Sequence, residues 1–136
     1  DITFYHDLNG LLQVADGKWQ LSPASSLQPP LTIVLLNNNG GGIFNRLPIA
    51  NIEPPFTDLF LTPHGLDFEP AARMYGLDFV RANGRAHFRQ LFTASLQDAV
   101  PRIIEVRTDS QQDEQRRREI NKIVNSPHSQ FTIHHS

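Results

Sequence analysis

The sequence predicts an α/β domain, a three-layer arrangement in which a parallel sheet lies between helices on both faces. Residues 31–37, "LTIVLLN", and 102–108, "RIIEVRT", run apolar without alternation, the pattern of strands covered on both sides. Around them, helical periodicity and short strand-like runs follow one another as helix, strand, helix, strand, helix, strand. That order calls for crossover connections and parallel pairing. The 136 residues suit one domain with one sizeable core. Residues 1–126 are expected to form it, with 127–136 as a flexible tail.

Thr3 can cap a first helix in which Phe4, Leu8, Leu11 and Leu12 share one face. The chain enters this helix without a lead-in, so a first strand is expected to precede Asp1. Residues 15–30, rich in Pro, Ser and Gly, read as a long connection to the strand at 31–37. The stretch "NRLPIANIEPPFTDLFLTPHG" carries four prolines and reads as irregular structure draped over the domain, a candidate lid or partner surface. Asp67 can cap a helix with Phe68, Ala71, Ala72 and Tyr75 on one face and Gly76 as terminator. A short strand follows at 78–81. Phe88, Leu91, Phe92 and Leu96 line one face of a helix from about 85 to 99, and the second long strand follows. The last helix, roughly 110–124, opens with Ser110 and Asp113 spaced as in a capping box.

Charge and composition narrow the function. The formal net charge is −2 and the basic residues are scattered, which gives no electrostatic footprint for nucleic acid. Without cysteine there is neither a disulfide framework nor a zinc-thiolate site, and the cytoplasm is the default compartment. No apolar run is long enough to span a bilayer. The run "RRRE" in the last helix is flanked by acidic residues and reads as a solvated face rather than a phosphate site. His128, His134 and His135 read as a mobile terminus rather than a metal site, having no carboxylate or cysteine at ligand spacing.

The strand at 31–37 runs straight into "NNNGGG". Asn and Gly both tolerate positive φ, so a plain surface turn is one reading. The other is a ligand site, because parallel sheets bind ligands beyond the carboxyl ends of their strands. Asp1, just ahead of a helix start, can stand at a second such end, where free backbone N–H groups favour an anion. A diphosphate there needs a hard cation. Magnesium takes about six oxygen ligands, commonly one or two carboxylates plus phosphate oxygens. Asp1 can give a carboxylate, an asparagine an amide oxygen and a glycine a carbonyl.

These residues resemble the thiamine-diphosphate-dependent enzymes, whose cofactor signature opens with Gly-Asp and closes with Asn-Asn. Within them, "DITFYHDLNGL", "IVLLNNNGGGIFNRLP", "FEPAARMYGL" and "RIIEVRT" resemble the carboxyl-terminal domain of the MenD family of synthases, over nearly the whole chain. The resemblance implies a thiamine-diphosphate-binding fold of the diphosphate (PP) type. It implies Asp1, Asn38 and the Gly40 carbonyl as ligands of Mg2+ or Mn2+, and Asp1, Ile2, Thr3, Asn38, Gly40, Gly41 and Ile43 as cofactor contacts. Ile43, Phe44 and Leu47 match positions lining the cofactor's reactive face and the substrate pocket; the lesser alternative is that they simply plug an apolar loop.

The implied reaction decarboxylates 2-oxoglutarate and adds the succinyl-semialdehyde carbanion to isochorismate, in menaquinone and phylloquinone synthesis. The activating glutamate is expected on the pyrimidine-binding domain of a partner subunit in a homodimer or homotetramer. No catalytic acid or base is therefore expected in this chain, and the substrate arginines are expected elsewhere too. Two departures stand out: Ile2 and Thr3 occupy positions where the wider signature has a small residue first, and the spacing from Asp1 to Asn38 is long. The same domain in an acetolactate synthase or keto-acid decarboxylase is an alternative, as is a noncatalytic α/β interaction domain.

Overall fold

The computed structural model describes residues 1–15, 31–98 and 100–125. The 16–30 connection, the end of the 85–99 helix and the histidine-bearing tail lie outside the described residues in whole or part. The sheet has three parallel strands among those described: β1 (Thr32–Asn37), β2 (Asp78–Arg81) and β3 (Arg102–Arg107), in the order β1-β3-β2. Val34 lies opposite Ile104 and Asn37 opposite Arg107, while Phe79 lies opposite Ile103 and Arg81 opposite Glu105. The carboxyl ends of all three strands therefore open on one side. Helices surround the sheet, as expected for an α/β domain. No helix among the described residues is long and apolar enough to cross a membrane.

Side-chain alternation assigns the two sheet faces. Leu35 and Ile103 join Leu11, Val14, Phe68, Ala72 and Leu77 in the core, flanked by Phe4, Leu8, Ile33 and Phe79. Ile104 points to the opposite face and is also fully buried, and α4 (Gly84–Ser95) packs against its strand. Central β3 is thus covered on both sides. Edge strand β1 is not: Leu36, on the second face, is 61% exposed and Val34 is exposed with it.

The first helical segment is phased differently from the expectation. It divides into α1 (Ile2–His6), a 3-10 turn (Leu8–Leu11) and α2 (Leu12–Ala15). Asp7, at φ −113° and ψ 25°, breaks the α-helical run. A 3-10 turn has three residues per repeat, so Leu8, Leu11 and Val14 face the core. Leu12 is left exposed. Asp1 rather than Thr3 is the N-cap, its Oδ1 accepting from the Ile2 N–H at 2.7 Å.

The other caps also shift by a residue. Phe68 is the N-cap of α3 (Glu69–Met74), although Asp67 Oδ1 still accepts the Glu69 N–H at 3.0 Å. Gly76 follows the helix at φ +69°, as a terminator should. Helix α4 ends at Ser95, so Leu96 falls past it and is exposed. Asp109, not Ser110, caps α5 (Ser110–Val124), accepting from the N–H groups of Gln111 and Gln112. Asp113 instead accepts from the Thr108 hydroxyl, so the predicted capping box does not form. The proline-rich stretch is less irregular than expected: a 3-10 turn at Gly42–Arg46 runs into it, and it holds another at Pro48–Asn51 and a π-type turn at Thr57–Leu61.

Within the arginine run, Arg117 and Arg118 both donate to Glu114, and Arg46 of the 42–46 turn approaches it at 4.0 Å. Hydrogen bonds from Arg117 and then Arg118 lower the Glu114 carboxyl from its ordinary 4.5 to about 2. A carboxylate stabilised in the folded state adds stability above its unfolded pKa and loses it as pH falls towards the folded one. This contribution should therefore fade between about pH 4.5 and 2. Glu114→Gln should destabilise the domain at neutral pH and flatten the stability profile across that acid window, as followed by circular dichroism.

Candidate functional site

The three asparagines at the end of β1 do three different things. Asn37 is buried, its Nδ2 donating to Glu105 Oε1 at 2.7 Å and its Oδ1 accepting from the Asn39 N–H at 3.1 Å. Asn39 adopts φ +63° and its Oδ1 accepts from the Gly65 N–H at 2.8 Å, fastening the loop after β1 to the 64–65 segment. Only Asn38 makes no side-chain hydrogen bond among the described residues. Its amide lies against Gly42, where a Cβ would crowd the amide nitrogen. It lines a depression shared with Ile43, Arg46, Ser110 and Glu114.

Packing within the protein requires two of the glycines. A Cβ on Gly40, which sits at φ +140°, would collide with the Leu61 carbonyl oxygen, and one on Gly41 would collide with that of Phe60. Gly41 also donates its N–H to the Leu61 carbonyl at 2.7 Å. These residues are glycine in order to seat the 57–61 turn against the loop. An aromatic chain reinforces the seat. Phe44 meets Phe60 edge-on at 5.9 Å, and Phe60 stacks on Phe56 at 6.1 Å.

Asp1 is the focus of the site. Its side chain is only 3% exposed, yet all its recorded partners are donors. Oδ1 accepts one N–H, from Ile2, while Oδ2 accepts the Gly40 N–H at 3.0 Å and contacts His64 Nε2 at 3.0 Å. The Asp1 backbone nitrogen donates to the Leu36 carbonyl at 2.9 Å, on β1. His64 Nδ1 accepts the Leu66 N–H at 3.0 Å, so the ring proton sits on Nε2 and points to Asp1. Burial holds the imidazole below its ordinary pKa.

A second polar network stands at the same end of the sheet. Glu105, on central β3, is fully buried and accepts from Asn37, from Arg81 Nε at 2.9 Å and from Arg107 Nε at 3.0 Å. Arg81 reaches on to Glu69 and Asp67. Arg107, Asn37, Asn39 and Asp67 border an open cleft of about 470 Å3 beyond the strand ends.

The structure thus brings Asp1 and Gly40 into contact, through the Gly40 N–H rather than its carbonyl. The Asn38 amide stands on the side of the loop facing α5. The Ile2 N–H is taken by Asp1, and α1 has five residues, so its start is not an independent anion site. Thr3 is exposed beside it. Ile43, Phe44 and Leu47 are exposed apolar residues directly after the glycines, with Ile43 62% exposed. Leu47 is extended, at φ −88° and ψ 150°, so the turn ends before it can align with Ile43 as one helical face. Among the described residues no cluster of three or more His, Cys, Asp or Glu side chains could hold a metal. Asp1 borders the depression between the first helical segment and β1, whereas Asn38 borders the one facing α5; a carboxylate, an amide oxygen and a backbone carbonyl are each donor types that a hard cation accepts.

His64 and Glu105 were not foreseen. The signals were slight: a histidine between Pro and Gly in a segment read as loop, and a glutamate inside an apolar strand.

No family model matches the chain. It is 54% identical over 117 residues to the 2-succinyl-5-enolpyruvyl-6-hydroxy-3-cyclohexene-1-carboxylate synthase of Roseiflexus sp. (strain RS-1), covering 86% of this chain and 18% of that protein. It is 42% identical over 126 residues to the synthase of the same name from Haloquadratum walsbyi, covering 91% and 19% respectively. To that from Bacillus pumilus it is 41% identical over 109 residues, covering 80% and 17%. The chain spans less than a fifth of the length of these curated relatives.

Proposed function

Starting from the chain's homology with one segment of the 2-succinyl-5-enolpyruvyl-6-hydroxy-3-cyclohexene-1-carboxylate synthases, we propose that it is the diphosphate- and metal-binding domain of such an enzyme. The relatives' shared name supports a synthase, and on our reading it is one of the menaquinone pathway acting on 2-oxoglutarate and isochorismate. The observation that carries the site reading is the Asp1 carboxylate, buried at the carboxyl end of the sheet with Oδ2 doubly hydrogen-bonded and Oδ1 bonded only once. An ionised carboxylate so placed has a lone pair to offer a cation. Asn38, uncommitted within the protein, supplies the second ligand, and the Gly40 carbonyl a third.

Bound thiamine diphosphate supplies an electron sink for decarboxylating the keto acid and forming the new carbon–carbon bond. This chain's share is to anchor and to shield. Asp1, Asn38 and Gly40 would hold Mg2+ or Mn2+, and Ile2, Thr3, Gly41 and Ile43 would be further cofactor contacts. Ile43, Phe44 and Leu47 would form an apolar wall that excludes water from the reacting centre. The exposed faces of these three residues support an assignment to a pocket completed by other parts of the enzyme. The activating glutamate and the substrate arginines belong to those parts, including the pyrimidine-binding domain of a partner subunit. The assembly is a cytoplasmic homodimer or homotetramer.

In the intact synthase, Phe44→Ala or Leu47→Ala should lower addition to isochorismate by about one to two powers of ten, roughly 1.4 to 2.7 kcal/mol of transition-state stabilisation. Cofactor affinity should change little. Steady-state rates beside cofactor titrations test this, and equal losses in both, or no loss in either, would return these residues to ordinary packing.

A further inference from the structure

His64 is fixed in place by contacts that do not involve Asp1. Its Nδ1 accepts the Leu66 N–H, its ring packs edge-on to Phe68 with centroids 5.7 Å apart, and the next residue's N–H is bonded to Asn39. Residues on either side, Thr62 at φ +41° and Gly65 at φ +61°, hold the backbone in a tight bend. The imidazole therefore presents one Nε2–H along one direction, and Asp1 Oδ2 lies there at 3.0 Å.

Each carboxylate oxygen has two lone-pair directions. Those of Oδ2 are filled by the Gly40 N–H and the His64 Nε2–H, whereas Oδ1 accepts from Ile2 alone. A cation can use Oδ1, but it cannot straddle both oxygens without displacing a donor. Small octahedral cations take carboxylates through one oxygen at about 2.0–2.1 Å, while Ca2+ readily accepts bidentate carboxylates at about 2.3–2.6 Å. We propose that His64 is a positioning residue that locks Asp1 into one-oxygen coordination, so that the site selects Mg2+ or Mn2+ over Ca2+. The proposal rests on the reading of Asp1 as a cation ligand.

The test uses the intact synthase with thiamine diphosphate, titrating Mn2+ by the electron paramagnetic resonance of the free ion and then competing with Ca2+. His64→Phe keeps a ring against Phe68 but has no donor, and should lower the preference for Mn2+ over Ca2+ by about tenfold. His64→Gln, which returns an N–H near the Nε2 position, should recover most of it. Should the phenyl ring not be tolerated in the fold, His64→Asn, whose amide falls short of Asp1, asks the same question. A wild-type Mn2+-to-Ca2+ ratio in the donor-free variant, beside loss of Mn2+ binding in Asp1→Asn, would overturn the role of His64 alone. Unchanged Mn2+ binding in Asp1→Asn would overturn the ligand reading and this inference with it.

Discussion

Glu105→Ala is expected to be among the most destabilising single substitutions in the domain, costing about 3–5 kcal/mol. The magnitude follows from what is left behind. Glu105 is fully buried on central β3 and is the common acceptor for Asn37 Nδ2, Arg81 Nε and Arg107 Nε. Removing it strands the buried Asn37 amide and takes from two guanidinium groups their shared counter-charge, one that solvent does not reach. Arg81 keeps Asp67 and Glu69, and Arg107 is more than half exposed, so part of the cost is recovered at the surface. Glu105→Gln keeps an acceptor oxygen and should cost less than Ala. Denaturant midpoints decide the matter. A loss below about 1 kcal/mol for Glu105→Ala would mean that the network contributes no more than exposed ion pairs do.

Because Asn37 belongs to this network, the same substitution should loosen the end of β1 that carries Asn38. Cofactor affinity should therefore fall even where the variant remains folded. The buried glutamate connects the stability of the sheet to the placement of the loop.

The second large effect is expected at Asp1. Asp1→Ala removes the buried Asp1 carboxylate and frees the Gly40 and Ile2 N–H groups and His64 Nε2. Three donors then converge where a cation is proposed to sit, and the local field changes from attractive to repulsive for a metal. In the intact synthase, magnesium-dependent cofactor binding should be abolished. Asn38→Leu should have the same outcome for a simpler reason, since it deletes a proposed ligand without disturbing any hydrogen bond among the described residues. Both variants should keep the wild-type circular dichroism spectrum. Full cofactor affinity in either would sink the ligand assignment.

The strands were legible because their residues speak for themselves. β2 spans 78–81 as its short apolar run suggests, and the continuous runs of 31–37 and 102–108 are β1 and β3 within a residue. Helix ends were less legible because several neighbouring residues can cap and only tertiary geometry chooses among them. Asp109 won over Ser110, and Asp1 over Thr3, because an ionised carboxylate is a strong acceptor for the first free N–H groups. The phase of the first segment was lost to a 3-10 turn, whose three-residue repeat exchanges Leu12 for Val14 in the core.

At the candidate site, the asparagine and glycine pattern drew attention to the loop after β1, but the division of labour within it was not readable. Which amide is structural depends on Glu105, which lies 68 residues from Asn37. The need for glycine at 40 and 41 depends on carbonyls from the 57–61 turn. His64 reaches Asp1 across 63 residues, a contact that no local pattern announces.

The central claim is that this chain anchors a thiamine diphosphate through a divalent cation held at Asp1 and Asn38. Calorimetric titration of the intact synthase with thiamine diphosphate, in magnesium and again with the metal chelated away, tests it most directly. The account predicts saturable binding with magnesium and its loss without, restored when Mn2+ is added. Binding of equal affinity in both conditions, or none in either, would contradict it.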